Sequence, residues 1–265
     1  MLLKKLKPFI NSVRHRIIVK KNSLSKKNKI IKFLSFGRKR FVGRSSLNGR
    51  ITIRHRGGGQ KKVYTAINFC EKIPLLGLVI SNSYDSYRTS FISLIFNYLT
   101  NNFLYVLSTH KVYSGSVIYN TLLNNELKLG CSFNLFLIPS GSTIHSLSES
   151  NNRICFIRSA GAFGQIIQKN KNKIVIKLPS GDLKIMINKS FATLGIVSNI
   201  QHSSTVLGSA GKKRILGFRP HVRGVAMNPV DHPHGGRTNG GRPSVTPWGI
   251  PTKGKPTVKK KNAFK

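Results

Sequence analysis

Residues 227–241 read MNPVDHPHGGRTNGG: two histidines, two prolines, four glycines and one carboxylate, with no hydrophobic periodicity. Two chemistries are conceivable there. Asp231 beside His232 could be a general base with its orienting carboxylate, and His232 with His234 could begin a metal site. A hydrolytic triad also needs a nucleophile held against its base on a rigid scaffold, and no Ser or Cys of this chain sits in a G-x-S-x-G elbow. Neighbours in sequence are not thereby oriented toward each other. Zinc needs three or four converging ligands, and His232 and His234 lack two convincing partners. Protein catalysis and a zinc site are therefore disfavoured. Prolines, glycines and a lone acid suit a backbone path shaped against another molecule, in which Asp231 accepts from a 2′-hydroxyl, caps a turn or joins phosphates in holding hydrated Mg²⁺.

The rest of the chain says what that molecule is. Its 265 residues carry 45 Lys+Arg against 6 Asp+Glu, a formal net charge of +39, with 39% hydrophobic residues. The apolar content suffices for real cores, but such charge is self-repelling unless a polyanion is bound. Residues 1–70 hold 20 basic side chains and no acid, residues 71–182 hold 10 basic and 5 acidic, and residues 183–265 hold 15 basic with Asp231 alone against them. A nearly balanced body between cationic ends is the pattern of a folded protein with arms on phosphates. Neither end shows a sustained amphipathic helical stripe, so nucleic acid is favoured over a membrane surface. Cys70, Cys131 and Cys155 are odd in number, with no C-x-x-C, and indicate reduced structural thiols. The basic, serine-rich start resembles both an organelle address and an RNA-binding arm.

From about residue 50 the chain breaks into short apolar runs: RITIRHR, VYTAINF, LLGLVIS, FISLIFNYL and FLYVLS, then SFNLFLIP, RICFIRSA, GQIIQK and NKIVIKLPSGDLKIMIN. These predict strands. The uncharged stretch 89–109 approaches transmembrane length, but Asn97, Thr100, Asn101 and Asn102 interrupt it and make it a hairpin around an Asn-Asn turn. A second hairpin is predicted around residues 179–182, with Ile174, Ile176 and Leu178 alternating on one arm and Leu183, Ile185 and Ile187 on the other. Many short strands imply small closed barrels, two in succession, meeting near residues 120–130. After residue 200 the regularity ends. Between Pro229 and Pro256 there are six prolines and six glycines, too few apolar groups to offset an ordering cost of roughly 1–2 kcal/mol per residue. A groove in folded RNA would supply that order.

The segments GRITIRHRGGGQKKVY (49–64), RSAGAFGQ (158–165), LPSGD (178–182), LGFRPHVRGVAMNPVDHPHGG (216–236) and PWGIPTKGKPT (247–257), in this order, resemble the L-two family of universal large-subunit ribosomal proteins. The resemblance runs from about residue 44 to 257. It implies a mainly β fold, an OB-fold barrel followed by an SH3-like barrel with extended basic N- and C-terminal arms: an extension over 1–45, an OB-type RNA-binding domain over 46–125, an SH3-like barrel over 126–200 and a Gly/Pro-rich RNA-penetrating segment over 201–265. It implies no enzymatic activity, but a structural role on large-subunit ribosomal RNA: assembly, subunit association and support of the peptidyl transferase region. Neighbouring ribosomal proteins and a small-subunit contact are the further partners. No cofactor of its own is expected, only Mg²⁺ shared with RNA. The chain departs from the family pattern at Gln60 and Arg237. The rival reading is a basic nucleic-acid-binding protein outside the ribosome. Richness in Lys, Asn, Ile and Phe suggests an AT-rich genome, hence an organellar ribosome, mitochondrial matrix ahead of plastid, with a bacterial cytoplasm as the alternative.

The residues expected on RNA are of three kinds. Around the first glycine run are Arg54, His55, Arg56, Gly57, Gly58, Gly59, Lys61 and Lys62, where glycine permits φ > 0 and leaves amides open to phosphate; G-K-[ST] is missing, so this is no nucleotide-binding P-loop. Arg158, Lys212, Lys213, Arg214, Arg219, Arg223, Arg237, Arg242, Lys253 and Lys255 supply charge for phosphates. His221, Asn228, Asp231, His232, His234 and Trp248 can hydrogen-bond or stack on bases.

Overall fold

A computed structural model describes residues 3–22, 24–25, 32–38, 43–68, 74–120, 126–148, 154–237 and 242–254. The chain falls into two units, one of residues 1–40 and 60–212, the other of residues 41–59 and 213–265.

The first unit is β structure. Short strands β1 (Leu3–Lys5) and β2 (Ile17–Val19) pair antiparallel, as do β3 (Ser35–Arg38) and β4 (Lys62–Thr65). Thus three short strands of the basic N-terminal segment enter sheets. Strands β5 (Leu76–Tyr84), β6 (Phe91–Asn97), β7 (Asn102–Leu107) and β8 (Val117–Tyr119) form an antiparallel sheet in the order β7-β6-β5-β8, the OB-type portion. The uncharged stretch is the expected hairpin: Asn97 pairs with Asn102, and Asn101 turns the chain at φ 50°. No helix among the described residues is long and apolar enough to cross a membrane.

Strands β9 (Ser132–Asn134), β10 (Thr143–Ser148), β11 (Ile154–Phe156), β12 (Gly164–Lys169), β13 (Lys173–Lys177), β14 (Leu183–Ile187) and β15 (Phe191–Leu194) make the SH3-like portion, in the order β14-β13-β12-β10-β15-β9 with β11 on β10. The hairpin β13–β14 stands where the sequence predicts it, but its faces differ from the alternation expected on the second arm. Ile174 lies opposite Met186, and these two with Ile176 are buried, whereas Leu183, Ile185 and Ile187 are exposed. Cross-strand pairing decides this: Leu183, Ile185 and Ile187 lie opposite Lys177, Val175 and Lys173, so whichever face takes Ile174 and Ile176 inward also takes Met186.

One buried cluster runs from Val79 and Ile95 through Cys131, Phe133, Leu135 and Ile144 to Ile166, Ile174 and Ile176. Each such side chain contributes roughly 1.5–3 kcal/mol when fully buried, so this unit can stand on its own core. Cys131 is a free, buried thiol, and burial pushes its pKa up.

Also inside is His145 of β10, fully buried between two hydroxyls: Thr109 Oγ1 is 2.8 Å from Nε2 and Ser146 Oγ 2.9 Å from Nδ1. Burial lowers its pKa from 6.5 to about 3. The native ring therefore stays neutral where the unfolded ring takes a proton. Stability from this ring is complete above pH 6.5 and falls toward pH 3, at a limiting slope of about 1.4 kcal/mol per pH unit. In urea unfolding of wild type and His145→Gln at pH 7.5 and 4.5, the wild type is expected to lose the more stability on acidification. Equal losses would show that His145 does not titrate with folding.

The second unit is built differently. The predicted strand RITIRHR is absent: Ile51 and Ile53 are exposed, Ile51 makes an isolated bridge to Arg44, and His55 takes φ 59°, which no strand tolerates. Alternation marks a strand only where a second apolar layer receives one face. Helical structure among this unit's described residues is limited to the last residues of a short helix α1 (Ala210–Ile215) and a 3-10 turn (Gly224–Ala226). Among its described residues the buried positions are Gly43, Gly57, Gly217, Gly235 and one side chain, His232; no apolar side chain is buried.

Candidate nucleic-acid interface

The glycine run and the segment after α1 are drawn together by backbone bonds. The Gly57 amide donates to Gly217 O (3.0 Å), the Arg219 amide donates to His55 O (3.0 Å), and Arg56 and Phe218 form an isolated antiparallel bridge. Gly57, Gly58 and Gly59 all have positive φ, at 140°, 65° and 88°, as the sequence predicts, but the Gly57 amide, expected open to phosphate, is taken by Gly217 O.

Side chains secure the junction. Arg214 donates through Nη1 to Phe218 O (2.8 Å) and Gly57 O (3.3 Å). A carbonyl can only accept, so His55 Nδ1, 3.4 Å from Pro220 O, carries a proton in the neutral ring; His55 Nε2 then accepts from His221 Nδ1 at 2.8 Å. The Arg56 guanidinium lies over the Phe218 ring at 4.4 Å, and Arg54 over Trp248 at 4.9 Å. Trp248 is 72% exposed. Its ring packs against Arg54 of its own chain and stays largely open to the outside. A cleft of about 550 Å³ opens beside this junction, lined among others by Arg44, Arg54, Arg56, Arg219 and Asp231.

Residues 227–236 form a compact turn. The Asp231 and His232 amides both point at Asn228 O (3.0 and 3.3 Å), the Gly235 amide donates to His232 O (2.8 Å), and the Gly236 amide to Met227 O (3.3 Å). His232 is 8% exposed, and its Nδ1 accepts the His234 amide at 3.0 Å. That nitrogen is the one a triad carboxylate would have to hold, so Asp231 does not orient this ring. With Nδ1 accepting, Nε2 carries the proton of the neutral ring. Glycine is required around it by close approach: a Cβ on Gly224 would fall 2.6 Å from His232 Cε1, and one on Gly235 2.2 Å from Asn228 O.

His234 Nε2 is 3.1 Å from the Val245 amide and 2.9 Å from Pro243 O. An amide can only donate, so Nε2 accepts from it and the Pro243 contact is a close approach rather than a second bond. Arg242 Nη1 donates to Pro233 O at 2.7 Å. No group of three His, Cys, Asp or Glu among the described residues could hold a metal.

Of the residues expected on RNA, the second unit thus gathers Arg54 to Gly59, Lys213, Arg214, Arg219, His221, Arg223, Asn228, Asp231, His232, His234, Arg237, Arg242, Trp248 and Lys253. Lys61, Lys62, Arg158 and Lys212 belong to the first unit, and Lys255 lies outside the described residues. The sequence reading missed Arg44 in the cleft, Phe218 as a platform for Arg56, Gly224 against the His232 ring, and Gly235 against the Asn228 carbonyl. Phe218 was findable: it is the aromatic residue amid Arg214, Arg219 and Arg223.

Residues 31–120 match the family described as Ribosomal Proteins L2, RNA binding N-terminal domain, and residues 128–249 match Ribosomal Proteins L2, C-terminal domain. Large ribosomal subunit protein uL2m of Reclinomonas americana is 44% identical over 269 residues, covering 98% of this chain and 95% of that protein. Large ribosomal subunit protein uL2 of Beijerinckia indica is 40% identical, covering 100% and 95%, and uL2 of Rickettsia felis is 42% identical, covering 100% and 97%. Through both domain matches and identity along its whole length, the chain belongs to the ribosomal protein L2 family.

Proposed function

We propose that this chain is a structural protein of the large ribosomal subunit, where it binds large-subunit ribosomal RNA, supports assembly and subunit association, and shapes the peptidyl transferase region. The observation that carries the reading is a unit with many arginines and, among its described residues, no buried apolar side chain, in a chain of net charge +39. A backbone ordered at roughly 1–2 kcal/mol per residue, with hydrogen bonds worth only about 1 kcal/mol each, needs a further source of order, and polyphosphate supplies it.

In this reading Arg54, Arg56, Arg219, Arg223, Arg237 and Arg242 meet phosphates, Lys61, Lys62, Arg158, Lys212, Lys213, Lys253 and Lys255 add charge, and His221, Asn228, His234 and Trp248 face sugars and bases. Arg214 and His232 hold the backbone that presents them. Asp231, the sole carboxylate of its segment, suits hydrated Mg²⁺ shared with RNA phosphates, since one hard oxygen cannot make a site alone. Other ribosomal proteins, and the small subunit across the interface, are the protein partners. The ribosome is organellar, in the mitochondrial matrix; AT-biased composition and the likeness to uL2m of Reclinomonas americana favour this.

The test is co-sedimentation: the tagged chain is expected in large subunits at one copy per particle, and free or DNA-bound protein with empty subunits would overturn the assignment. The chain acts without protein catalysis. His232→Gln retains a side-chain acceptor for the His234 amide, so particles are expected to assemble and lose less than about threefold in peptide-bond formation, far below the 10²–10⁴ of a general base. Fully assembled but inactive particles would restore a catalytic role.

A further inference from the structure

The outer face of the β13–β14 hairpin is not used by the core. Leu183, Ile185 and Ile187 alternate along β14 as core residues do, yet all three are exposed, with Val175 half-buried opposite Ile185. Lys177 stands opposite Leu183 and Lys173 opposite Ile187, so a lysine flanks each end of the apolar centre. The hairpin with its flanks, residues 171–189, carries five lysines and a single acid, Asp182, whose Oδ2 accepts from Ser180 Oγ (2.9 Å) within the turn.

Strand β14 is also an edge. It ends the order β14-β13-β12-β10-β15-β9, and no second strand among the described residues pairs with it. The Leu178 amide donates to Asp182 O (2.9 Å) across the turn, and bonded pairs alternate along an antiparallel ladder. Ile176–Lys184 and Ile174–Met186 are therefore the bonded pairs, and the N–H and C=O groups of Leu183, Ile185 and Ile187 point away from β13. Soluble proteins blunt such an edge with a bulge, a proline or a charge. This one has no register shift against β13 and no proline between residues 183 and 187. Its one lysine, Lys184, turns to the opposite face and lies over the Phe156 ring at 5.5 Å.

We propose that β14 takes up an extended segment of an acidic protein as a further strand, with the segment's apolar side chains beside Leu183, Ile185 and Ile187 and its carboxylates within reach of Lys173 and Lys177. Main-chain bonds along the edge supply affinity, and the side chains on this face select the partner. Charge names its chemistry. A second copy brings the same lysines and a net charge of +39, so like repels like. RNA is a poor occupant, because branched aliphatic side chains give bases no stacking platform and residues 159–213 contain no arginine to fork onto phosphate. The site lies apart from the arginine-rich unit and does not depend on the ribosomal reading.

Hydrogen–deuterium exchange of the full chain, with a heptapeptide alternating valine and glutamate as the probe, tests this. The peptide is expected to slow exchange across residues 183–187 by at least about fivefold and to leave β6 unchanged. A peptide alternating valine and lysine should give no protection. Ile185→Lys, at an exposed position that leaves the core intact, should raise the acidic peptide concentration needed by at least about tenfold. Lys173→Glu combined with Lys177→Glu should raise it by at least about threefold and admit the lysine peptide. No protection of the wild type, or protection that Ile185→Lys leaves unchanged, would overturn the proposal. So would equal protection by oligouridylate, which assigns the face to RNA, or protection that grows with protein concentration without peptide, which assigns it to a second copy. A chain that binds the acidic peptide yet is absent from large subunits keeps this site and loses the ribosomal assignment.

Discussion

Gly235→Ala is expected to weaken binding of the full chain to large-subunit ribosomal RNA by at least about tenfold. The new Cβ would lie 2.2 Å from Asn228 O, 2.4 Å from Asn228 C and 2.7 Å from Met227 O, all backbone atoms that cannot rotate aside. Overpacking typically costs about 1–3 kcal/mol, and rigid obstacles put this case at or above the upper end; each 1.4 kcal/mol is tenfold. The same turn holds the Asp231, His232 and Gly236 amides, so its loss displaces the ring of His232 and the run toward Arg237 together. Gly211→Ala is the control. Nothing lies within 4 Å of its Cβ and it sits in α1, where alanine is favoured by about 1 kcal/mol. Binding of Gly235→Ala within twofold of wild type would show that this turn takes no part in the interface.

The second large effect is salt dependence. If six phosphates are neutralised, log K against log[salt] should slope near −4 to −5, so that raising salt from 50 to 200 mM costs on the order of several hundredfold in affinity. The arginines are not equivalent. Arg219→Gln should make the slope shallower by about 0.7–0.9, because one phosphate contact is lost. Arg214→Gln should lower affinity with little change of slope, because its guanidinium is engaged by Phe218 O and Gly57 O and holds the junction instead. A wild-type slope near −1 would rule out an extended phosphate interface.

Much of the architecture was legible in residue order. Alternating and continuous apolar runs bounded by Asn, Gly and Pro located the hairpins β6–β7 and β13–β14, because strand periodicity and turn chemistry are local. Which face of β14 turns inward was not local: Met186 is buried and Ile185 exposed because pairing with β13 carries them there. RITIRHR failed for the same reason in reverse, an alternating pattern with no layer to receive it.

The candidate interface divides similarly. Amino-acid types alone determined that this chain is a polycation with a folded body, that its Gly/Pro-rich end cannot form a core, and that Asp231, His232 and His234 are poor triad or zinc material, since charge, ring constraint and missing donors are properties of composition and spacing. Tertiary structure decided which groups meet. It brought the RHRGGG loop against residues 217–221, gave His232 Nδ1 to a backbone amide instead of a carboxylate, and made Arg214 a brace. Those are outcomes of the backbone path and of contacts between residues distant in sequence, and neither is encoded in any local pattern.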